Sequence, residues 1–210
     1  SSCATYGVHN ELITEETPQS PINPYGATKM VGERMIREFG AAYGMRSVIL
    51  RYFNAAGADA AMETGERNTH DPRVIPLAIR GALDGGFTFA IFGDKLDTRD
   101  GTCVRDYVHV TDLADAHLRA LEWLEAGNES QVFNLGAGVG TSVKELADAV
   151  ERISGGKIAR KVAPPRAGDP PSLVASIAKA ERLLGWKPRH SSIDNIIRTA
   201  LAWAEKDRAR

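Results

Sequence analysis

A tyrosine and a lysine stand four residues apart in the stretch PYGATK, as Tyr25 and Lys29. On a helix, positions i and i+4 share one face, so the lysine ammonium would lie close to the tyrosine phenol. A free phenol releases its proton only at about pH 10, but a neighbouring cation favours the phenolate. The pair is therefore suited to moving a proton on and off a substrate hydroxyl. The same spacing also occurs on ordinary solvated helices, so the interpretation depends on its context.

A serine near the start of the chain supplies that context. Residues 1–3 are predicted to end a buried strand, which places Ser2 at the carboxyl end of that strand. In a doubly wound sheet, ligands bind outside the carboxyl ends of the strands. A serine there can hydrogen-bond the same hydroxyl that Tyr25 would titrate. Taken alone, Ser2 is an ordinary turn serine, so the hypothesis rests on the three residues together.

Helix-like and strand-like segments alternate along the chain. Apolar periodicity predicts strands over 46–54, 87–93, 104–110 and 131–136, and helices over 25–43, 74–83, 111–127, 141–155, 176–186 and 191–207. The third of these helices is predicted to begin at Thr111 as its cap. This alternation is typical of an α/β fold with a largely parallel sheet. We predict the later part of a doubly wound, Rossmann-like sheet, followed by a small C-terminal mixed α/β lobe.

Composition excludes several classes of function. The 210 residues carry 26 Lys and Arg against 27 Asp and Glu, a net charge of −1, so neither nucleic acid nor an anionic membrane is an expected partner. The two cysteines, Cys3 and Cys103, are too few for a disulfide framework and suit a reducing cytoplasm. Cys103 and the five histidines lack metal-ligand spacing, so no metal is predicted.

The stretch NLGAGVGTSV, residues 134–143, invites interpretation as a dinucleotide-binding turn. That pattern needs G-x-G-x-x-G, and Thr141 stands where the third glycine belongs. No strand ending in an acidic residue follows about twenty residues later. We interpret the stretch as a tight strand-to-helix turn.

Six motifs occur in the order SSCATYG, NPYGATK, LRYFNAAGA, GTCVRDYVHV, NLGAGVGTSV and RAGDPP. In this order they resemble the extended short-chain dehydrogenase family, and within it the nucleotide-sugar epimerases, over essentially the whole chain. The resemblance implies NAD as cofactor, a UDP-sugar as substrate and a homodimer in the complete enzyme. Complete members carry further residues before this point, including the glycine-rich NAD motif. The chain is therefore expected to be a C-terminal fragment that binds NAD poorly by itself.

The resemblance also implies a division of the chain. Residues 1–72, with a contribution from 104–130, would be the C-terminal part of the NAD-binding domain. Residues 73–210 would form mainly the UDP-sugar-binding lobe.

The mechanism implied by the resemblance is epimerisation at C4 of a UDP-hexose, UDP-glucose or UDP-galactose, in galactose metabolism. Tyr25 as phenolate would take the proton of the sugar 4-hydroxyl while hydride passes from C4 to NAD. The 4-keto sugar would turn over, and the hydride would return to its other face. Lys29 would stabilise the phenolate and contact the nicotinamide ribose. Ser2 would bridge the hydroxyl and Tyr25, and Phe53 would lie near the nicotinamide.

The same resemblance assigns a substrate site. Arg105 and Arg166 would grip the diphosphate, and Asp169 would hold the uridine ribose. The remaining expected contacts are Asn54 at the diphosphate or sugar, Leu173 in the sugar pocket, Arg73 and Val74 on the diphosphate side, and the segment Ala90, Ile91 and Phe92 at the uracil, partly through backbone groups. Arg73 stands where relatives often have His or Asn, so its role is the least defined.

The two residues that follow Ser2 bear on the type of reaction. Related dehydratases and decarboxylases carry acidic residues there, whereas this chain has Cys3 and Ala4. That difference favours epimerisation. Two alternatives stay open: a 4-epimerase acting on UDP-arabinose and UDP-xylose or on UDP-N-acetylhexosamines, and an inactive UDP-sugar-binding remnant.

Overall fold

The computed structural model describes residues 1–9, 11–67 and 73–209. Its helices are α1 (Pro24–Tyr43), α2 (Val74–Leu83), α3 (Val110–Glu125), α4 (Val143–Ser154), α5 (Ala178–Leu184) and α6 (Ile193–Arg208). Its strands are β1 (Val48–Tyr52), β2 (Asn54–Ala56), β3 (Thr88–Phe92), β4 (Val104–His109), β5 (Gln131–Leu135), β6 (Gly140–Ser142), β7 (Ala159–Ala163) and β8 (Ser172–Leu173). A short 3-10 helix covers Cys3–Thr5.

The strand pairing is mostly parallel. Strand β1 pairs with β5, β2 with β4, and β3 with β7, all in parallel. Strand β4 also pairs in parallel with β8 and antiparallel with β6. The predicted α/β class with a largely parallel sheet is confirmed. The predicted strand over 46–54 is divided in two, because the chain changes partner from β5 to β4 at Phe53.

Two hydrophobic clusters hold most of these elements together. One joins α2, α4 and α6 to β3 and β4 around fully buried side chains such as Phe89 and Leu146. The other packs α3 and α5 against β1 and β5, around Phe133 and Trp186. Burying one such side chain contributes about 1.5–3 kcal/mol. These clusters fix the sheet whose strand ends form the site.

The predicted cap of helix α3 needs correction. Helix α3 begins at Val110, and its cap is His109, whose ring nitrogen accepts a hydrogen bond from the Thr111 amide at 3.1 Å. Thr111 is therefore inside the helix and is not its cap. Helix α5 begins at Ala178, two residues after its predicted start, and has no side-chain cap. Helix α4 begins at Val143, also two residues after its predicted start, and Ser142 and Glu145 form a reciprocal capping box.

The glycine-rich turn at 134–143 is occupied by a carboxylate of the protein itself. Asp106 accepts hydrogen bonds from the amides of Ala137 and Gly138, at 2.5 and 3.0 Å, and from Ala175 at 3.1 Å. A side chain at Gly136 would collide with Asp106, because its Cβ would lie 2.4 Å from a carboxylate oxygen. The amides that would bind a phosphate thus bind Asp106, which agrees with interpretation as a structural turn.

Helix α1 contrasts with the other long helices. Its predicted apolar side is largely exposed, with Val31, Met35 and Phe39 each about half accessible. Only Gly26 and Glu33 of its 20 residues are buried. Within the described ranges, no helix is both long and apolar enough to cross a bilayer.

Candidate active site

The first turn of α1 lies against the 3-10 helix that follows Ser2. The Asn23 side chain caps α1 by accepting a hydrogen bond from the Gly26 amide at 2.8 Å. Gly26 is required here, because a Cβ at this position would lie 2.2 Å from the carbonyl oxygen of Ala4. This close approach brings Tyr25 to the segment that carries Ser2.

Tyr25 and Lys29 face each other as their spacing predicts. The Lys29 ammonium nitrogen lies 5.4 Å from the centroid of the Tyr25 ring. At this distance the ring and the cation attract each other through the ring quadrupole. Tyr25 is 57% exposed, so its phenol is accessible from the adjoining cleft.

Ser2 occupies the end of a short parallel pairing. It forms a bridge with Tyr52 at the end of β1 and is buried. Its hydroxyl oxygen accepts a hydrogen bond from the Ala4 amide at 3.2 Å, which caps the 3-10 helix. A hydroxyl that accepts in this way keeps its own proton for donation.

A cleft of about 440 Å³ opens beside these side chains. Ser2, Tyr25, Phe53, Asn54 and Leu173 all line it. Lys29 stands next to Tyr25 without lining the cleft. The structure therefore brings Ser2 and Tyr25 to the same cleft as Asn54 and Leu173, two of the predicted substrate contacts.

A larger cavity of about 820 Å³ adjoins the first. Asn54, Arg73, Arg105 and Asp169 line both, so the two form a continuous site. Val74, Ala90, Phe92 and Arg166 line the larger part. Ile91 differs from its neighbours, because alternation along β3 turns its side chain into the core. Of Ile91, only backbone groups are therefore candidates for contacts with a ligand in the cavity.

The charged groups of the cavity are held at defined places. The Arg105 guanidinium forms an ion pair with Asp169 and donates to the Val104 carbonyl at 2.8 Å. The Arg166 guanidinium lies over the Phe92 ring at 3.9 Å from its centroid. Stacking of this kind leaves the edge of the guanidinium available for hydrogen bonds. Arg73 is more exposed and forms an ion pair with Glu66.

The larger cavity is also lined by two residues that were not predicted to belong to the site, Tyr107 and Cys103. Tyr107 is 4% exposed, and its hydroxyl has no hydrogen-bond partner within the described part of the chain. Burial raises the pKa of the Tyr107 phenol, so it stays protonated. Cys103 is also buried, and desolvation raises the pKa of its thiol. The alternation of β4 was the available signal, since Tyr107 follows Arg105 by two positions.

The smaller cleft offers a donor set that fits one end of NAD. Hydroxyls of Ser2 and Tyr25, the nearby ammonium of Lys29 and the apolar surface of Phe53 suit a ribose joined to an aromatic ring. The glycine-rich turn at 134–143 does not fit the diphosphate, because Asp106 already binds its amides.

This combination of a mostly parallel sheet, a tyrosine–lysine helix and an arginine-lined cavity defines an epimerase-like α/β protein. Residues 1–136 match the NAD dependent epimerase/dehydratase family, and the chain belongs to this family.

Named relatives narrow the comparison. Over 204 residues, the chain is 48% identical to a UDP-glucose 4-epimerase of Azospirillum brasilense. The aligned region covers 97% of this chain and 59% of that protein. It resembles the crystal structure of the Brucella ovis UDP-glucose 4-epimerase in complex with NAD, with a TM-score of 0.91 and 45% identity, over 96% of this chain and 62% of that one. The Bifidobacterium longum UDP-glucose 4-epimerase in complex with NAD+ and UDP gives a TM-score of 0.92 at 38% identity, over 99% of this chain and 63% of that one. The chain thus spans about 60% of the length of these relatives.

Proposed function

We propose that this chain provides the proton-transfer and UDP-sugar-binding parts of an enzyme that epimerises UDP-glucose and UDP-galactose at C4. The observation that supports the proposal is one continuous site with two chemically different ends. Ser2 and Tyr25 line one end, Arg166 lines the other, and Asn54 and Arg105 line both parts. A substrate with a reacting sugar at one end and a nucleoside diphosphate at the other matches this order. The named relatives support the choice of UDP-glucose.

The proton-transfer residues act on the sugar 4-hydroxyl. Tyr25, as phenolate, accepts the proton of this hydroxyl, and Lys29 stabilises the phenolate through its positive charge. Ser2 donates a hydrogen bond to the oxygen at C4 and keeps it near the phenol. NAD, when bound, supplies the acceptor and donor of the C4 hydride. After the 4-keto sugar turns over, Tyr25 returns the proton to the oxygen.

The other end of the site holds the nucleotide. Arg105 and Arg166 bind the diphosphate, since a guanidinium matches phosphate oxygens in charge and shape. Asp169, now paired with Arg105, binds the ribose hydroxyls. Asn54 and Arg73, with Val74, complete the diphosphate side, and Leu173 borders the sugar. The uracil lies on Phe92 and Ala90 and takes hydrogen bonds from the backbone of 90–92.

The residues beside Ser2 argue against dehydration and decarboxylation. Both reactions need further proton transfers beyond oxidation at C4. Cys3 is buried, and desolvation raises the pKa of its thiol to about 11, so it stays neutral. Ala4 has no ionisable group. Epimerisation needs only the proton exchange that Tyr25 provides.

We also propose an assignment of domains and assembly. Residues 1–72 with 104–130 belong to the NAD-binding half, and 73–210 mainly to the UDP-sugar lobe. Residues 68–72, at this boundary, lie outside the described residues. The second hydrophobic cluster supports the first half, although β5 and α5, which lie beyond residue 130, also pack there. The exposed apolar side of α1 fits a homodimer, and the two free cysteines fit a reducing cytoplasm.

The direct test uses the protein expressed from its complete gene. Incubation with UDP-galactose and NAD, followed by NMR, should show conversion to UDP-glucose. UDP-xylose and UDP-N-acetylglucosamine serve as parallel substrates. Faster conversion of either one than of UDP-galactose would make it the preferred substrate in place of UDP-galactose. Failure to convert any of the three, with intact UDP binding by calorimetry, would support the binding-remnant alternative.

A further inference from the structure

Helix α1 is held by surprisingly few buried groups for an element that carries Tyr25 and Lys29. Its apolar side is exposed, and its only buried side chain longer than glycine belongs to Glu33. The Gly26 contact fixes the first turn against Ala4. Glu33 lies two turns further along and is the other fully buried residue of the helix.

The Glu33 carboxylate lies in a buried hydrogen-bond network. Arg51 of β1 donates to both of its oxygens, from Nε at 2.8 Å and from Nη2 at 2.7 Å. The side chains of Arg51 and Glu33 are 3% and 1% exposed. Ser1, Gln19 and Arg37 add hydrogen bonds at 2.6, 3.1 and 3.0 Å. The carboxylate is therefore fully bonded and fixed in orientation.

Arg51 is itself fixed by its other neighbours. Its Nη1 donates to the Tyr6 hydroxyl at 2.6 Å, and that hydroxyl donates to Asn134 at 2.7 Å. The guanidinium also lies 4.8 Å from the Tyr6 ring centroid. Burial opposes the charge on Glu33, but the Arg51 and Ser1 hydrogen bonds outweigh it and lower the pKa of Glu33. Both partners stay ionised at neutral pH.

This network reaches the reacting side chains from two directions. Ser1 immediately precedes Ser2, and Arg51 lies two residues before Phe53, which lines the smaller cleft. On α1, Tyr25, Lys29 and Glu33 follow one another at intervals of four and form one stripe. Holding Glu33 therefore sets the rotation of the stripe relative to Ser2.

Stability alone gives a weak reason for this pair, because a buried ion pair is often no more stabilising than apolar residues of the same volume. We propose that Glu33 and Arg51 are positioning residues that orient Tyr25 and Lys29 towards Ser2. The kinetic part of this inference rests on the proposed function. Its structural part, the anchoring of α1, does not.

The test removes both charges together, in the double variant Glu33→Gln and Arg51→Gln, so that no buried charge is left unpaired. The matched control is Arg34→Gln with Glu38→Gln, which removes an exposed ion pair of the same helix. Hydrogen exchange of the chain is measured first. We expect α1 to exchange about tenfold faster in the first variant, with β3 and β4 unchanged, because anchoring is local. The control should match the wild type.

Kinetics of the complete enzyme give the second measurement. We expect kcat to fall about tenfold to a hundredfold, as for a small misplacement of reacting groups. KM for UDP-galactose should stay within about twofold, because the arginines that bind the nucleotide are untouched. A general structural weakness would instead change exchange throughout the chain and raise KM as well.

The outcomes separate the two proposals. Wild-type exchange in α1, or equally faster exchange everywhere, would overturn the positioning role. So would wild-type kcat in the folded double variant. If that variant does not fold, Arg51→Lys is used instead, because it keeps the charge but loses the paired geometry. Hydrogen exchange of α1 and kcat then decide the positioning role in the same way. An inactive wild-type protein counts against the proposed function only, since the exchange experiment still decides whether the pair anchors α1.

Discussion

Helices α1 and α4 serve the two ends of the site and are held in different ways. Helix α4 buries Leu146, Ala147, Ala149 and Val150 in its 12 residues, against the cluster that also supports β3 and β4. Helix α1 buries Gly26 and Glu33 in its 20 residues. Helix α4, beside the proposed nucleotide end, is thus held by hydrophobic burial, whereas helix α1, which carries Tyr25 and Lys29, is held mainly by one close backbone contact and one buried ion pair. Mutations at the two ends should therefore separate binding and folding from turnover.

The largest effect is expected from Tyr25→Phe. Loss of the proton acceptor should lower kcat of the complete enzyme by about two to four orders of magnitude. UDP affinity, measured by calorimetry, should change less than about twofold, because the arginines proposed to bind the diphosphate are unchanged. Tyr43→Phe, at an exposed position of the same helix, is the control. Turnover close to wild type in Tyr25→Phe would remove the phenol from the mechanism.

A pair of phenylalanines compares the packing of the two regions. Phe89→Ala removes a side chain that is 1% exposed, and should lower the free energy of unfolding by about 3–5 kcal/mol. Phe39→Ala removes one that is 51% exposed on α1, and should cost no more than about 0.5 kcal/mol at protein concentrations where the chain is monomeric. Urea unfolding of both variants at such concentrations measures the difference. A similar loss in both would mean that the α1 face is covered within the monomer, and the contrast between the regions would fail.

Asp106 of β4 predicts a pH dependence of the stability of the folded chain. Desolvation raises the pKa of its carboxyl from 3.8 to about 6, against three backbone hydrogen bonds. A raised folded-state pKa stabilises the protein below about pH 4, and this contribution is lost as pH rises through about 6. The advantage of wild type over Asp106→Asn should thus shrink by up to about 3 kcal/mol between pH 4 and 7.

The same measurement on Asp194→Asn provides a control of opposite sign. The hydrogen bond from Arg152 lowers the pKa of the Asp194 carboxyl, so its contribution is present at neutral pH and lost in acid. Its effect should be small, because Asp194 is exposed to solvent. Parallel pH curves for wild type and Asp106→Asn would contradict the raised pKa of Asp106.

The smallest effect is expected at Tyr107. Its hydroxyl is buried without a partner in the described part of the chain, and a stranded donor costs about 1–3 kcal/mol. Tyr107→Phe should therefore leave the free energy of unfolding unchanged or raise it by about 1 kcal/mol. Thermal unfolding measures this change. A clear loss of stability would show that the hydroxyl has a partner in solution.

The sequence alone was sufficient for the class of fold, and it proposed a set of reacting residues that the fold brings close together. Period-3.6 and extended apolar patterns are local, so they placed α2 and β3 to within a residue. The spacing of Tyr25 and Lys29 is also a local property, and a regular helix converts it into proximity. The order of six motifs then indicated the family.

The tertiary structure decided what local patterns cannot express. The apolar periodicity of α1 predicted a helix but not that its apolar side would be exposed, since burial depends on which other elements face it. Glu33, Arg51 and Tyr6 carry no shared sequence signal, because their contacts join positions far apart in the chain. Asp106 likewise explains the glycine-rich turn only after folding brings β4 beside it. Long-range pairing sets these environments, and the environment decides whether a charged side chain is solvated, anchored or reactive.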